Sequence, residues 1–187
     1  GFHVHRALKS RNYILFANHQ SYPDPLFVGS VSPRAMHFMA RDNLFRPGFG
    51  PLISLFGAYP VTRGRRDEKA FGTTQALLTG GNSVVIFGEG TRSPDGEIQE
   101  IRGGIEIIAR RSHSVILPMV VDGAYQMAPR NHSMQHLQAE AVVVVVGEPI
   151  PPEVYLAWPE RSLPQRLRPV LQDLLVEARQ RREGAST

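Results

Sequence analysis

The stretch Asn12-Tyr13-Ile14-Leu15-Phe16-Ala17-Asn18-His19-Gln20-Ser21-Tyr22-Pro23-Asp24 sets an apolar run of strand length directly against a polar, proline-containing turn. The same grammar recurs along the chain. Short apolar runs at 35–40, 58–62, 83–87, 115–121 and 141–146 alternate with amphipathic stretches, which predicts an α/β layer structure. Residues 142–146 are five consecutive valines, too apolar for an open face, so they predict a strand buried on both sides.

Helices fill the gaps. Residues 67–79 place Ala70, Phe71, Thr74, Leu77 and Leu78 on one stripe and stop at Gly80-Gly81, as an amphipathic helix with a glycine terminator does. Residues 103–111 predict a short second helix. Ser162 and Gln165 predict a capping box ahead of a long helix carrying Leu163, Leu167, Leu171, Leu175 and Ala178 at helical spacing. Pro169 predicts a kink in it. The expected architecture is one domain over 1–183, a mixed, mostly parallel sheet flanked by helices, with an unstructured tail at 184–187.

Composition sets the outer limits. The 187 residues suit one domain, and 42% hydrophobic with 20% charged residues is an ordinary globular balance. The absence of cysteine excludes disulfide scaffolds, thiolate-bound zinc and thiol nucleophiles, and leaves the redox compartment open. The formal charge is +4, and 19 of the 21 basic residues are arginine. Arginine's planar fork suits phosphate, although genome composition produces the same bias. Aromatics are 8% and show no stacking pattern, so nucleic acid is not an expected partner. No uncharged apolar run reaches the roughly 18 residues of a membrane span. The nearest, 47–62, is broken by Gly48, Gly50, Pro51, Gly57 and Pro60. It reads either as an apolar surface beside arginines, suited to an anionic interface, or as a helix buried in the core. The chain opens on Gly1 rather than methionine, which leaves room for an anchoring segment ahead of it.

Four segments carry chemistry. In the first, His19 falls just past a strand end, where α/β folds collect their ligands. Asp24, five residues on and beyond a proline turn, can return its carboxylate to the imidazole. Such a pair fixes the tautomer and steadies the imidazolium, so the other ring nitrogen takes a proton from a hydroxyl. Ser21 lies too close for a linear Ser-His-Asp relay, and a turn histidine bonded to a neighbouring aspartate also has a purely structural reading. In the second segment, Arg63 ends a strand, with Arg65 and Arg66 ahead of a helix start. That suits a phosphate as well as a solvated basic loop. The third, Phe87-Gly88-Glu89-Gly90-Thr91-Arg92-Ser93, offers close backbone approach, hydroxyls and a further cation. Glu89 there has two readings, aligning Arg63 or Arg92, or binding a substrate hydroxyl. The fourth, Ile116-Leu117-Pro118-Met119-Val120-Val121, is a buried strand whose proline predicts a bulge or an edge.

In this order the four segments resemble the four signature blocks of the PlsC-type glycerolipid acyltransferases. NHQSYPD is similar to the family's N-H-x-x-x-x-D block, YPVTRG to its arginine block, FGEGTRS to its F-P-E-G-T-R-S block and ILPMVV to its proline-containing block. The likeness spans about 12–121 and is strongest to the 1-acylglycerol-3-phosphate (lysophosphatidic acid) acyltransferases. One departure is Gly88, which stands at the usual proline position and predicts a looser loop.

The resemblance implies an enzyme of phospholipid biosynthesis that moves a fatty acyl group to the free hydroxyl of 1-acylglycerol-3-phosphate, giving phosphatidic acid. It implies His19 as general base oriented by Asp24, with Arg63, Glu89, Gly90, Thr91 and Arg92 holding phosphate and glycerol. Pro118 would support the acyl side. Acyl-CoA or acyl carrier protein is the implied co-substrate, with no metal and no other cofactor. Backbone N–H groups of residues 18–21 are the expected oxyanion donors. The expected setting is the cytoplasmic face of a membrane, reached peripherally or through a preceding anchor. Competing expectations are another lysophospholipid acyltransferase, a tafazzin-like transacylase, and a non-catalytic lipid-binding protein that would need neither His19 nor Asp24.

Overall fold

The computed structural model describes residues 12–32, 35–62, 67–128 and 140–185. Along the chain come β1 (Tyr13–Ala17), α1 (Asp24–Val31), β2 (Met36–Arg41), a 3₁₀ turn (Asp42–Leu44), α2 (Phe49–Leu55), β3 (Ala58–Val61) and α3 (Glu68–Thr79). They are followed by β4 (Ser83–Phe87), α4 (Gly104–Ser112), β5 (Val115–Asp122), α5 (Ala124–Met127), β6 (Val143–Val146), α6 (Pro152–Leu156) and α7 (Leu163–Ala185). The six strands form one sheet in the order β3-β2-β4-β1-β5-β6. The first five are mutually parallel and β6 closes the edge antiparallel to β5. The expected mixed, mostly parallel α/β sheet is therefore present.

Handedness decides which face each helix covers. The crossovers β1→β2 and β2→β3 step one way along the sheet, and their helices α1 and α2 pack with Tyr13, Leu15, Phe38, Val85 and Leu117 on one face. The crossovers β3→β4 and β4→β5 step the other way, and α3, α4 and later α7 pack with Ile14, Phe16, Ile86 and Ile116 on the opposite face. Right-handed connections demand that reversal. Strand β1, between β4 and β5 with both faces covered, is fully buried at every residue, which is why it reads as an unbroken apolar run.

The valine run departs from its expected burial. Within β6 only Val145 is buried and Val146 is 39% exposed. An edge strand has a neighbour on one side only, so consecutive valines here report β-propensity rather than two-sided burial. The bulge expected from Pro118 is found opposite it. Register slips by one residue between the Met119–Val146 pair and the Ile116–Ile150 bridge. The Gly147 N–H meets the Pro118 carbonyl at 2.9 Å in the gap.

Two helix starts are set by carboxylates. Asp67 caps α3 by accepting from Ala70 N at 2.9 Å, and it also takes Thr62 N at 2.6 Å. The start of α7 differs from the expected capping box. The Ser162 hydroxyl donates instead to the Pro159 carbonyl, while buried Glu106 of α4 takes the Arg161 and Leu163 N–H groups at 2.7 and 3.3 Å. Arg110 neutralises it at 2.9 Å. An ionised acceptor facing a helix N-terminus is favoured over a neutral hydroxyl by charge and by the helix dipole. Helix α7 continues through Pro169 to Ala185.

Candidate active site

Strand β1 and its neighbour β4 release their chains in opposite directions, β1 into α1 on one face and β4 toward α4 on the other. The carboxyl ends of two such strands part to leave a crevice, the usual ligand position in a doubly wound sheet. His19 enters it from β1 and Glu89 from β4. Their loops are sewn together: the His19 N–H donates to Glu89 Oε1 at 3.1 Å, and the Ser93 N–H to the His19 carbonyl at 2.6 Å.

The loop after β1 is held by its own polar side chains. Asn18 bonds both backbone groups of Val121 on β5, at 2.8 and 2.9 Å. Gln20 spans from the Gly96 carbonyl to the Tyr125 N–H. The buried Ser21 hydroxyl is committed to the Ala128 carbonyl at 2.9 Å, so it is not a nucleophile. Asp24 opens α1, fully buried. Its Oδ2 accepts from Gln20 N at 2.6 Å and Ser21 N at 2.8 Å, and lies 2.8 Å from His19 Nδ1. This places the proton on Nδ1 and leaves Nε2, on a ring whose side chain is 21% exposed, able to accept another. Phe87 stacks on the imidazole at 4.2 Å between centroids.

These bonds correct the oxyanion expectation for residues 19–21. The N–H of His19 goes to Glu89, and those of Gln20 and Ser21 go to Asp24. All three are spent on holding the pair, and none is left for a substrate oxygen.

The loop after β4 lies beside it. Glu89 is 2% exposed, and burial pushes its carboxyl up to about 7 against the lowering effect of the His19 N–H. The Gln99 N–H acts on the same carboxyl in the same lowering sense. Gly90 has φ +68°, and a Cβ there would come within 2.8 Å of the Arg102 side chain. Arg102 itself donates from Nε to the Glu89 carbonyl at 3.0 Å. Thr91 follows, half-buried, and the Arg92 guanidinium lies 3.7 Å over the Tyr22 ring. Beyond it Ser93 organises the turn 94–96 by accepting from Gly96 N and donating toward Asp95 and Glu97.

His19, Asp24 and the 89–92 loop thus share one crevice. Arg63 lies outside the described residues. Pro118 is buried inside β5, in register with Phe16, and its place is in the sheet below the crevice. The loop expected to be loosened by Gly88 is tightly tied. The Gly88 N–H reaches the Ala17 carbonyl and its own carbonyl takes Arg102 N. Sequence reasoning missed Asn18 and Gln20 as clamps and Arg102 as a lock on the loop. Asn18 and Gln20 stood inside the first motif, but their partners lie 76 to 105 residues away. An apolar cleft of about 470 Å³ opens beside Phe87, Gly88 and Gly90 and runs between α3 and α4 over Phe71, Ile105 and Ile108.

A histidine braced by a buried carboxylate, with its nearest serine spent and no cysteine in the chain, is arranged to take a proton from a group that the chain itself does not supply. The chain belongs to the acyltransferase family, whose sequence pattern, described as Acyltransferase, matches residues 2–122. It is 28% identical to the chloroplastic 1-acyl-sn-glycerol-3-phosphate acyltransferase of Arabidopsis thaliana over 140 residues, which are 73% of this chain and 39% of that protein. It is 24% identical to the 1-acyl-sn-glycerol-3-phosphate acyltransferase of Bacillus subtilis, covering 83% of this chain and 79% of that one. The crystal structure of PlsC, the 1-acyl-sn-glycerophosphate acyltransferase of Thermotoga maritima, superposes with a TM-score of 0.76 at 28% identity. The match covers 90% of this chain and 67% of that chain. The chain therefore spans well under half of the plant relative and most of the Bacillus one.

Proposed function

We propose that the protein transfers a fatty acyl group from acyl-CoA or acyl carrier protein to the free hydroxyl of 1-acylglycerol-3-phosphate, giving phosphatidic acid. The observation that carries this reading is the His19–Asp24 pair in the crevice between β1 and β4, within a chain whose relatives bear that activity in their names.

In this reading His19 Nε2 takes the acceptor's hydroxyl proton as the oxygen attacks the thioester carbonyl. The new C–O bond forms, the C–S bond breaks, and the proton passes on to the departing sulfur. Asp24 steadies the imidazolium between those steps. Phosphate is assigned to Arg92 and Arg63, and the acceptor's glycerol to Glu89, Gly90 and Thr91. The apolar cleft beside Phe87 is assigned to the acyl chain, with Pro118 acting through the packing beneath. The reaction as drawn uses no metal and no cofactor besides the thioester.

Acceptor and product are lipids, so the protein is placed at a membrane surface, on the cytoplasmic side where acyl thioesters are made. Among the described residues no helix is long and apolar enough to cross a membrane. The test is transfer from labelled acyl-CoA and acyl carrier protein to a panel of lysolipids. Transfer to 1-acylglycerol-3-phosphate in preference to uncharged monoacylglycerol is expected. Thioester-independent transfer between phospholipids would replace this reading with a transacylase.

A further inference from the structure

Helix α2 is seven residues long and carries no charge. Its inner side is accounted for. A Cβ on Gly50 would lie 2.9 Å from the Phe45 backbone, and Ile53 packs on the sheet face shared with α1. Its outer side is not. Phe49, Leu52, Leu55 and the following Phe56 are 43, 50, 82 and 54% exposed. Single exposed apolar residues are ordinary, but three on one short helix and a fourth directly after it form a patch. Tyr22 and Leu26, at and near α1 on the same face of the sheet, are also exposed.

The rim is basic. Exposed Arg41 ends β2 and exposed Arg46 lies one turn before α2, its carbonyl accepting from Gly50 N at 2.7 Å. Arg46 is steadied there by donation from Nε to the Asn43 carbonyl at 2.9 Å. The one acidic residue of 41–62, Asp42, is turned onto the Asn43 N–H. As the crossover between parallel strands, α2 runs from the carboxyl edge of the sheet, which holds His19, back to the amino edge, where the Gly57 carbonyl accepts from Phe38 N at 3.1 Å.

We infer that α2 docks the protein on an anionic lipid monolayer, with Phe49, Leu52, Leu55 and Phe56 entering the interface and Arg41 and Arg46 resting on headgroups. This rests on the lipid acyltransferase reading and adds to it the surface that meets the lipid. Apolar burial and attraction to anionic headgroups act together in interfacial helices. A second copy of the chain is disfavoured as occupant. A seven-residue helix is about 10 Å long, too short to supply the roughly 800 Å² per partner of a standard interface.

The experiment is flotation of the 187-residue chain with phosphatidylcholine vesicles, with and without phosphatidylglycerol. The chain should float with the anionic vesicles, less at high salt. Leu55→Ser with Phe56→Ser should lower binding at least tenfold at an unchanged unfolding midpoint. Leu55→Trp in a Trp158→Phe background gives a second readout, a blue shift on adding anionic vesicles. Equal flotation of the double variant overturns the inference, as does failure of the parent chain to float. Self-association that the double variant abolishes, without flotation, overturns it in favour of a second copy. Transfer to a short-chain, water-soluble lysophosphatidate is measured alongside. Loss of that transfer in the parent chain refutes the enzymatic reading whatever the vesicles show, and equal rates for parent and double variant confine the effect to docking.

Discussion

The main-chain N–H of His19 is bonded to the side chain of Glu89 at 3.1 Å, so His19 is tethered to a buried carboxyl on the neighbouring strand's loop. Burial dominates at Glu89 and raises its carboxyl to about 7, with the His19 and Gln99 N–H groups opposing the rise and Asp24 and Asp95 adding to it. The folded protein therefore holds this proton more tightly than the unfolded chain does.

The consequence for stability has a definite sign. Glu89 contributes most below its unfolded value of about 4.5, and the contribution is lost as pH rises toward about 7. Glu89→Gln, which keeps an acceptor for the His19 N–H but does not titrate, should flatten that part of the stability profile. Relative to the parent it should gain stability from pH 5 to pH 8. Denaturant melts of both proteins across that range decide it, and parallel profiles would show that Glu89 is already ionised in the fold.

His19 and Asp24 should separate in stability although they coincide in activity. His19→Ala should lower transfer by roughly 10² to 10⁴-fold, the usual scale of general base work, at a nearly unchanged melting temperature. Asp24→Ala should lose as much activity and also strand the Gln20 and Ser21 N–H groups. Each unsatisfied group costs about 1–3 kcal/mol. Calorimetry beside the transfer assay checks both halves, and full activity of folded His19→Ala would remove His19 from the mechanism.

Gly88 and Phe16 should behave as a coupled pair. A Cβ at 88 would lie 2.4 and 2.5 Å from Cζ and Cε2 of the Phe16 ring, and overpacking of that kind costs about 1–3 kcal/mol. Gly88→Ala should be destabilising alone and much less so with Phe16→Leu, which removes both of those atoms. A double-mutant cycle reads the coupling; strict additivity would mean that the ring moves aside freely.

Arg92→Ala should raise KM for a phosphate-bearing acceptor by roughly 10- to 100-fold, given about 1.5–3 kcal/mol for a charge-assisted hydrogen bond. KM for the thioester should change far less. An equal effect on uncharged monoacylglycerol would remove the phosphate from Arg92.

Much of this was legible along the chain because it is local. The runs that became β1, β4 and β5 announce themselves by near-continuous apolarity, and the Asp24 carboxylate needs only five residues and a turn to reach His19. What stayed illegible depends on partners far away in sequence. Glu106 caps a helix that begins 57 residues later, and no local pattern at Ser162 can reveal a stronger acceptor arriving from α4. The valine run misled because composition reports strand preference but not whether a strand lies inside the sheet or at its edge. For 47–62 the sequence held two readings open, and α2 combines them: Ile53 faces the core and Leu55 faces outward.

Asn18 gives the crevice its abruptness. Its carboxamide meets the N–H and the C=O of Val121 together, so a side chain imitates a peptide unit and adds one more rung to the ladder with β5. The main chain is excused from that rung. It can leave the plane of the sheet a residue early and swing at once toward Asp24. The turn that carries His19 can therefore begin where hydrogen bonding in the sheet has not yet ended, and His19 inherits the rigidity of the strand without being part of it.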